Sequence, residues 1–570
     1  MELNQSTSNP INNHDHMQHL FLHHIFIIRG MGIRSFIQSK PLGILLFLFS
    51  LILYGLTLSY NYSGGSIEFV TEIESGNLQQ LFQPQKLLTF PIGWAFFQVW
   101  KLFGWEGSSL FPSQVLNALL GSISVFLIYL CSQQLHHSKK IAITTASCFM
   151  VSSGIWIFST EAEFVTPAIA IMLMVFYIGL LFIKSSMTNS LHLLILGIFS
   201  GLSIVIYITN IFFIPAFIAI LFIQFNKSWL ALFRSVMIYL TGMMVIVVPV
   251  YTSVLVYIYE IDNFNKLSGF HLYGGQGIGT VYGKFEPLNV VYGFYALTRT
   301  IACFPSIGLD SSTQYFLANS SPLQLLLFIL HSVFIAVILF LPIVAWVKSG
   351  ILILPIHRKV SLFLVIWSAF NILFALYWVP KDMQFWLPVS IAWWIGFGYF
   401  VKKVDQIFTS RKVWKLPLYL PGIIIFLIFW GYLFVINGTG LAFPHHNINN
   451  NQEYWITKSV LDHTSPNDLI VLIDDERYIP YFTHRRTFSV INEILHEEKS
   501  KEEVYSQLRM CIEDEEKKGN KVYIYWDTSE SHIRWDVLSK FGIEKKDFNQ
   551  YSTRLAWSIG TTQFFEIINQ

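Results

Sequence analysis

Long apolar runs separated by short polar punctuation dominate the chain as far as residue 436. Runs able to cross a hydrocarbon core of about 30 Å lie near 41–60, 112–135, 141–159, 162–183, 191–225, 236–258, 322–347, 360–379, 385–401 and 416–436. The 191–225 run is too long for one helix, and Thr209-Asn210 with Pro215 just beyond supplies the turn chemistry to divide it. The pattern therefore predicts about eleven transmembrane helices. After Asn437 the periodicity becomes that of a small soluble α/β unit. It predicts a helix near 452–463, strands at 468–473 and 487–490, a charged helix at 497–518 and a strand at 521–526. The expected organisation is a tail over 1–40, a transmembrane domain over 41–436 and an extracytoplasmic α/β domain over 437–570.

Basic residues orient these elements. Arg29, Arg34 and Lys40 precede the first run, which argues for a cytoplasmic N-terminus. If 87–103 is not a span, Lys139-Lys140, Lys184, Lys227 with Arg234, Lys348 with Arg358-Lys359, and Lys402-Lys403 with Arg411-Lys412 all fall on that same side. The 87–103 segment is accordingly expected to lie in the interface as an amphipathic helix, with Trp94, Trp100 and Trp105 at headgroup depth. The outer face then carries loops 61–111 and 259–320, the turn around Glu161 and Glu163, the Pro380-Lys381-Asp382 turn and the C-terminal domain. The expected location is the plasma (inner) membrane, with many passes.

Composition agrees and removes other classes. The chain of 570 residues is 53% hydrophobic and 13% charged, with a mean hydropathy of +0.51, outside the range of ordinary soluble domains. A net charge of +2, with its bases in short clusters, excludes a nucleic-acid partner. The four cysteines show no CxxC or Cys/His spacing, so no zinc site is expected; Cys303 and Cys511 are read as free thiols, with a disulfide between them the alternative in an oxidising compartment. The His-rich opening (NHDHMQHLFLHH) lacks a signal-peptide cleavage pattern and reads as a disordered tail.

Candidate chemistry gathers on the predicted outer face. Glu68 and Glu72 follow the Gly64-Gly65 pair and stand four apart, on one face of a helix. Glu161 and Glu163 sit in STEAEFVTP, where two-residue spacing separates their faces and at most one is expected to function. Lys381 ends a span, and the long loop brings Tyr273, Lys284 and Arg299 in a Gly- and Tyr-rich setting suited to sugar contact. Ionisable groups near membrane depth are functional candidates because leaving them there is costly. A carboxylate that deprotonates an acceptor hydroxyl, with Lys or Arg neutralising a departing phosphate, is the chemistry this set could perform. Asp474 and Asp475, just past a strand end, read as a helix cap.

These segments resemble a known family. The acidic first loop, TFPIGWAF closing with KLFGW, the NALLGSISVFLIYLCSQQL run, SSGIWIFSTEAEFVTP and FALYWVPKDMQFWLP are similar to the GT-C class of membrane glycosyltransferases, especially its protein O-mannosyltransferase-like branch. Within it, the subgroup with D-x-G-E-L and H-P-P-G-Y-P-L motifs is the nearest pattern. The resemblance aligns Glu68 with the loop glutamate, Pro91 and Gly93 with the Pro-Gly motif, and Glu163 with the glutamate of the third motif. Two positions depart: Gly65 stands where the family has aspartate, and Thr89 or a neighbour where it has histidine.

The resemblance implies a GT-C-like fold and transfer of a sugar from a polyprenyl-phosphate-linked donor to a glycan, lipid or protein acceptor at the outer face of the membrane lipid. Glu68 is the implied base with Glu72 as alternate, and Glu163, Lys381, Arg299, Lys284 and Tyr273 are the substrate-binding candidates. No metal ligand set is expected, although the class leaves room for a divalent cation. A flippase or transporter of lipid-linked sugar, and an inactive GT-C-like scaffold, are the competing readings. The first would favour repeated helix bundles, which the sequence lacks, and the second draws on the two departures.

Overall fold

Serine and asparagine caps start many of the helices, and apolar side chains carry them through the bundle. The computed structural model describes residues 41–184, 189–225, 228–261, 283–303, 320–348, 355–410, 420–473, 477–495, 499–527 and 535–568. The 1–40 tail, Tyr273 and the Asp474-Asp475 pair lie outside the described residues.

The helical part comprises α1 (Pro41–Leu56), α2 (Gly64–Ser75), α3 (Thr89–Leu102), α4 (Leu110–His136), α5 (Lys139–Met150), α6 (Ser153–Thr160), α7 (Val165–Lys184), α8 (Ser190–Ile206), α9 (Phe213–Gln224), α10 (Trp229–Tyr257), α11 (Leu288–Ile301), α12 (Pro322–Lys348), α13 (Pro355–Tyr377), α14 (Leu387–Ser410) and α15 (Leu420–Asn437). Among the described residues six helices are long and apolar enough to cross a membrane, and seven if the α5–α6 pair, bent by 60°, is one span. The count of eleven is higher because α1, α8 and the Ile208–Gln224 segment are apolar but short, and because α14 carries Lys402, Lys403 and Asp405 in its second half. The expected division of 191–225 is present: α8 stops at Ile206, and a short 3-10 turn over Ile208–Phe212 precedes α9.

Buried polar side chains tie the breaks together. At the α5–α6 bend, the Asn437 amide at the end of α15 donates to the Val151 carbonyl at 2.7 Å and to the Ile301 carbonyl at 3.0 Å, and its oxygen accepts from the Cys303 amide at 2.8 Å. From α4, Gln114 donates to the carbonyls of Ser59 and Thr160, and Asn117 to those of Glu161 and Glu163. These bonds satisfy backbone groups left open where helices end. They also hold the acidic 161–163 turn against the start of the first loop.

The C-terminal unit is a five-stranded sheet of order β2-β1-β3-β5-β4. Strands β1 (Leu469–Leu472), β2 (Arg486–Ser489) and β3 (Val522–Asp527) are parallel, while β4 (Thr553–Ile559) and β5 (Thr562–Ile567) add an antiparallel hairpin beside β3. Alternation along β1 sends Leu469 and Val471 to one core, with Val504 and Leu508 of α19 (Lys501–Lys517), and Ile470 and Leu472 to the other. That second core also takes Ile456 and Val460 of α16 (Gln452–His463) and Ile479 of α17 (Tyr478–Thr483). A further short helix, α18 (Val490–Leu495), follows β2. The sequence pattern found three strands and missed the β4–β5 hairpin, whose strand β4 is largely exposed and so lacks a strong apolar alternation.

Candidate active site

The first loop folds into the helix that its Glu68/Glu72 spacing requires. Ser63 caps α2 by accepting from the Ser66 amide at 3.0 Å, and Gly76, with φ 64°, ends it in the left-handed conformation that glycine favours. Ile67, Phe69, Val70 and Ile73 are buried, which leaves Glu68 and Glu72 on the opposite side. Gly93 of α3 allows this packing, since a Cβ there would come within 2.6 Å of the Phe69 ring and of Ile73. Thr89, which with its neighbours stands where the family motif has histidine, is fully buried and donates to the Ile206 carbonyl at 2.6 Å, so its role is in packing.

A cavity of about 1330 Å³ opens beside α2, and Glu68, Glu72, Glu74, Glu161 and Glu163 all reach its wall. The cations Lys86, Arg299, Lys381 and Arg477 line it too. Five residues chosen from sequence, namely Glu68, Glu72, Glu163, Arg299 and Lys381, therefore come together, although they arrive from three loops and an amphipathic helix. Lys284 does not join them. It is exposed outside the cavity, and its carbonyl accepts from the Asn289 side chain. Glu161 and Glu163, expected to diverge, both line the cavity because the turn between α6 and α7 is not helical.

The charges are paired across elements. Arg477, at the start of α17 in the C-terminal unit, reaches the Glu68 carboxylate at 2.5 Å. Burial opposes the Glu68 charge, but Lys86 and Arg477 outweigh it and bring its carboxyl down to about 2. One turn along, burial and then the Glu68 charge push Glu72 up to about 7, and among the described residues Glu72 Oε2 has no hydrogen-bond partner. Glu163 is raised by burial and by Glu161, while Ser63 donates a hydrogen bond to it and the Phe164 amide meets its other oxygen at 3.3 Å. Gly65 leaves room for that carboxylate: a Cβ there would lie 2.7 Å from Glu163 Oε1. Glu161 faces His445 Nδ1 at 3.7 Å.

Lys86 and Arg477 are the two groups that sequence reading missed. Lys86 sits in a loop pinned by backbone bonds from Leu88 to Val205 and from Ile208 to Gln85, and its ammonium stands 3.2 Å from the centre of the Phe164 ring. It is 8% exposed. Burial lowers its proton affinity, and Glu68 and Glu163 act against that shift. A lone lysine in QPQKLL carries no motif, yet its place just ahead of the Pro-Gly segment was a usable signal. Lys381 rests over the Tyr292 ring at 4.4 Å, and Arg299 is buried beside Tyr295.

Among the described residues no three His, Cys, Asp or Glu side chains gather in a metal-holding group. The cavity acids instead face Lys86, Arg477, Ser63 and His445, a donor set that does not fit the divalent cation the class admits.

The likeness to the GT-C membrane glycosyltransferases read from the motifs has a counterpart in both sequence and structure, a family match over part of the chain and a similar fold. Residues 89–257 match the family described as dolichyl-phosphate-mannose-protein mannosyltransferase. The fold is similar to that of ArnT from Cupriavidus metallidurans bound to undecaprenyl phosphate, with a TM-score of 0.55 at 11% identity over 93% of this chain and 98% of that one. The apo state of that protein gives 0.54 at 10% identity, with the same coverage of 93% and 98%. The Archaeoglobus fulgidus oligosaccharyltransferase in the apo form gives 0.50 at 12% identity, over 86% of this chain and 70% of that one. A comparison with curated protein sequences finds no match.

Proposed function

We propose that this protein is an integral membrane glycosyltransferase that moves a sugar from a polyprenyl-phosphate-linked donor to an acceptor on the extracytoplasmic face. The observation that carries this reading is one cavity in which the buried Lys86 and Arg299 and the exposed Lys381 stand with Glu68, Glu72 and Glu163. The family matched over 89–257 and the lipid phosphate named in the ArnT structure agree with it. In this topology α1, the α5–α6 pair, α8, α9 and α14 join the six longer helices as spans, α3 lies in the interface, and the C-terminal unit is outside.

The step follows from the charges. An acceptor hydroxyl attacks the anomeric carbon of the donor as the bond from that carbon to the phosphate oxygen breaks. The bonding pair leaves with the lipid phosphate, whose growing charge Lys86, Arg299 and Lys381 neutralise. The hydroxyl proton passes to a carboxylate of α2. Glu72 suits this role because its proton affinity lies near neutrality, and Glu68, held ionised by Arg477, fixes the geometry and field of the pair.

The experiment is transfer by purified protein from a labelled polyprenyl-phosphate sugar, with Glu72→Gln, Glu68→Gln and Lys86→Met variants checked for folding. Loss of transfer is expected in all three. Full activity in both glutamine variants would overturn the acid–base assignment.

A further inference from the structure

A small recess of about 20 Å³ adjoins the main cavity, within two turns of the start of α7 and of the end of α13. Tyr207, Thr209, Phe374, Gln384 and Phe385 line both spaces, whereas Asn210 and Asn371 line the recess alone. These two asparagines are buried, at 4% and 3% exposure. Each directs its amide hydrogens to a nearby carbonyl: Asn210 donates to Ser203 at 3.2 Å, and Asn371 to Trp367, one turn back in its own helix, at 2.8 Å. Among the described residues neither side-chain oxygen has a hydrogen-bond partner, and both keep accessible surface, whereas the oxygen of Asn117 is sealed. Thr209 and Gln384, which stand between the two spaces, also make no side-chain hydrogen bond among the described residues. Polar oxygens at this depth in an apolar bundle are costly unless a hydroxyl or water donates to them.

The recess is neutral and half apolar. Among the described residues no Asp, Glu, Lys, Arg or His lines it, and the wall beyond the carboxamides is aromatic or aliphatic, including Ala168 and Ile169 of α7. A carboxylate or ammonium placed there would lose its hydration with no counter-charge, and a hydrocarbon would leave the oxygens unmet. A methylene that ends in a hydroxyl meets both conditions, and the space holds one hydroxyl-sized group. Groups that face the donor phosphate in the proposed reaction flank it. Gln384 follows Lys381 by three residues, and the Lys86 loop is fastened to the break between α8 and α9 by the Ile208 amide, which donates to the Gln85 carbonyl at 3.1 Å. Phe164, whose ring carries the Lys86 ammonium, stands 6.3 Å from the Tyr207 ring.

We infer that this recess takes the exocyclic hydroxymethyl group of the donor sugar, and hence that the sugar transferred is a neutral hexose. The inference rests on the transferase reading and adds the class of sugar and the side chains that select it. The hydroxyl donates to Asn371 or Asn210 and accepts from Gln384 or Thr209 at the threshold. In a hexopyranose the hydroxymethyl carbon is attached next to the ring oxygen, on the far side of which lies the anomeric carbon. A phosphate facing Lys86 and Lys381 therefore leaves that group within one ring of the recess. A pentose without it would bind with the two oxygens unmet, and a site built to hydrogen-bond a hydroxyl rejects the analogue lacking it.

The test uses the full chain in nanodiscs and reads binding as protection against heat, so it does not depend on turnover. The probes are undecaprenyl phosphate and its mannose, glucose and galactose conjugates, each hexose beside the pentose of the same ring configuration that lacks the hydroxymethyl group. At least one hexose is expected to bind at least tenfold more tightly than its pentose. Asn371→Leu is expected to remove that difference, and so is Ala168→Met, which fills the recess from α7 without altering a carboxamide. In both variants the hexose falls to the level of the pentose, while binding of undecaprenyl phosphate changes less than twofold. Equal or tighter binding of the pentose in all three pairs overturns the inference. A hexose preference that survives both variants also overturns it and leaves the recess to water. An equal loss for every lipid, undecaprenyl phosphate included, assigns the recess to packing and overturns it too. Absence of protection by every lipid in the unaltered protein would instead overturn the transferase reading, and the inference with it.

Discussion

Arg477 of the C-terminal unit and Glu68 of the first loop form an ion pair at 2.5 Å, linking residues 409 apart. Around it, the Tyr478 hydroxyl engages the backbone of Tyr62, and the Tyr481 hydroxyl donates to Glu74 at 2.9 Å. The C-terminal unit is thus part of the cavity and shapes the charge of its central acid. A double-mutant cycle of Glu68→Gln and Arg477→Gln, read by chemical denaturation, is expected to give a coupling of about 1–2 kcal/mol, as both groups are only partly exposed.

The same pair sets an acid limit. Because the folded-state value of Glu68 lies below the ordinary carboxylate value of 4.5, at about 2, its contribution to stability is complete above the unfolded value. It disappears as pH falls from about 4.5 toward 2. Melting temperature against pH should drop across this window in the unaltered protein and drop less in Glu68→Gln.

Glu72 behaves oppositely. With a folded-state value of about 7, it is mostly protonated below neutrality and serves as a base above it. The rate of transfer should rise with pH through about 7, and Glu72→Gln should flatten that limb. Its ionisation in the folded state is unfavourable, so the unaltered protein should lose stability relative to Glu72→Gln as pH climbs from about 4.5 to 7.

Gly65→Ala tests the place of Glu163. The new methyl would sit 2.7 Å from a carboxylate oxygen whose backbone neighbours are fixed by Asn117. The carboxylate must swing away from Ser63. At least a tenfold loss of transfer is expected, with undiminished helix content by circular dichroism.

Asn437→Ala tests the clasp. It removes three bonds to backbone groups at 2.7, 3.0 and 2.8 Å and leaves buried donors and acceptors open, at a cost of about 2–4 kcal/mol. A fall in thermal stability without a change in the pH profile is the expected pattern. Asn437, which begins an Asn-Gly-Thr sequon, is 1% exposed, so a sugar attached to it would be incompatible with this fold.

Much was legible along the chain because it depended on local periodicity. Apolar run length marked the bundle, the four-residue spacing of Glu68 and Glu72 put them on one helix face, and alternation revealed the parallel strands β1, β2 and β3. The motifs also carried the class of fold. What local pattern could not supply was partnership across distance. Whether Lys86 is buried against Phe164 depends on the loop being pinned to the break between α8 and α9, and Arg477 matters only because α17 docks on α2. Glu161 and Glu163 share a cavity because their turn is irregular, and Gly65 is required by a carboxylate from another loop. Proton affinity follows burial and neighbouring charge, and tertiary packing sets both. The sequence alone established a membrane bundle with acids at one end of its helices. Only the tertiary structure decided which of those acids stays charged and which is ready to take a proton.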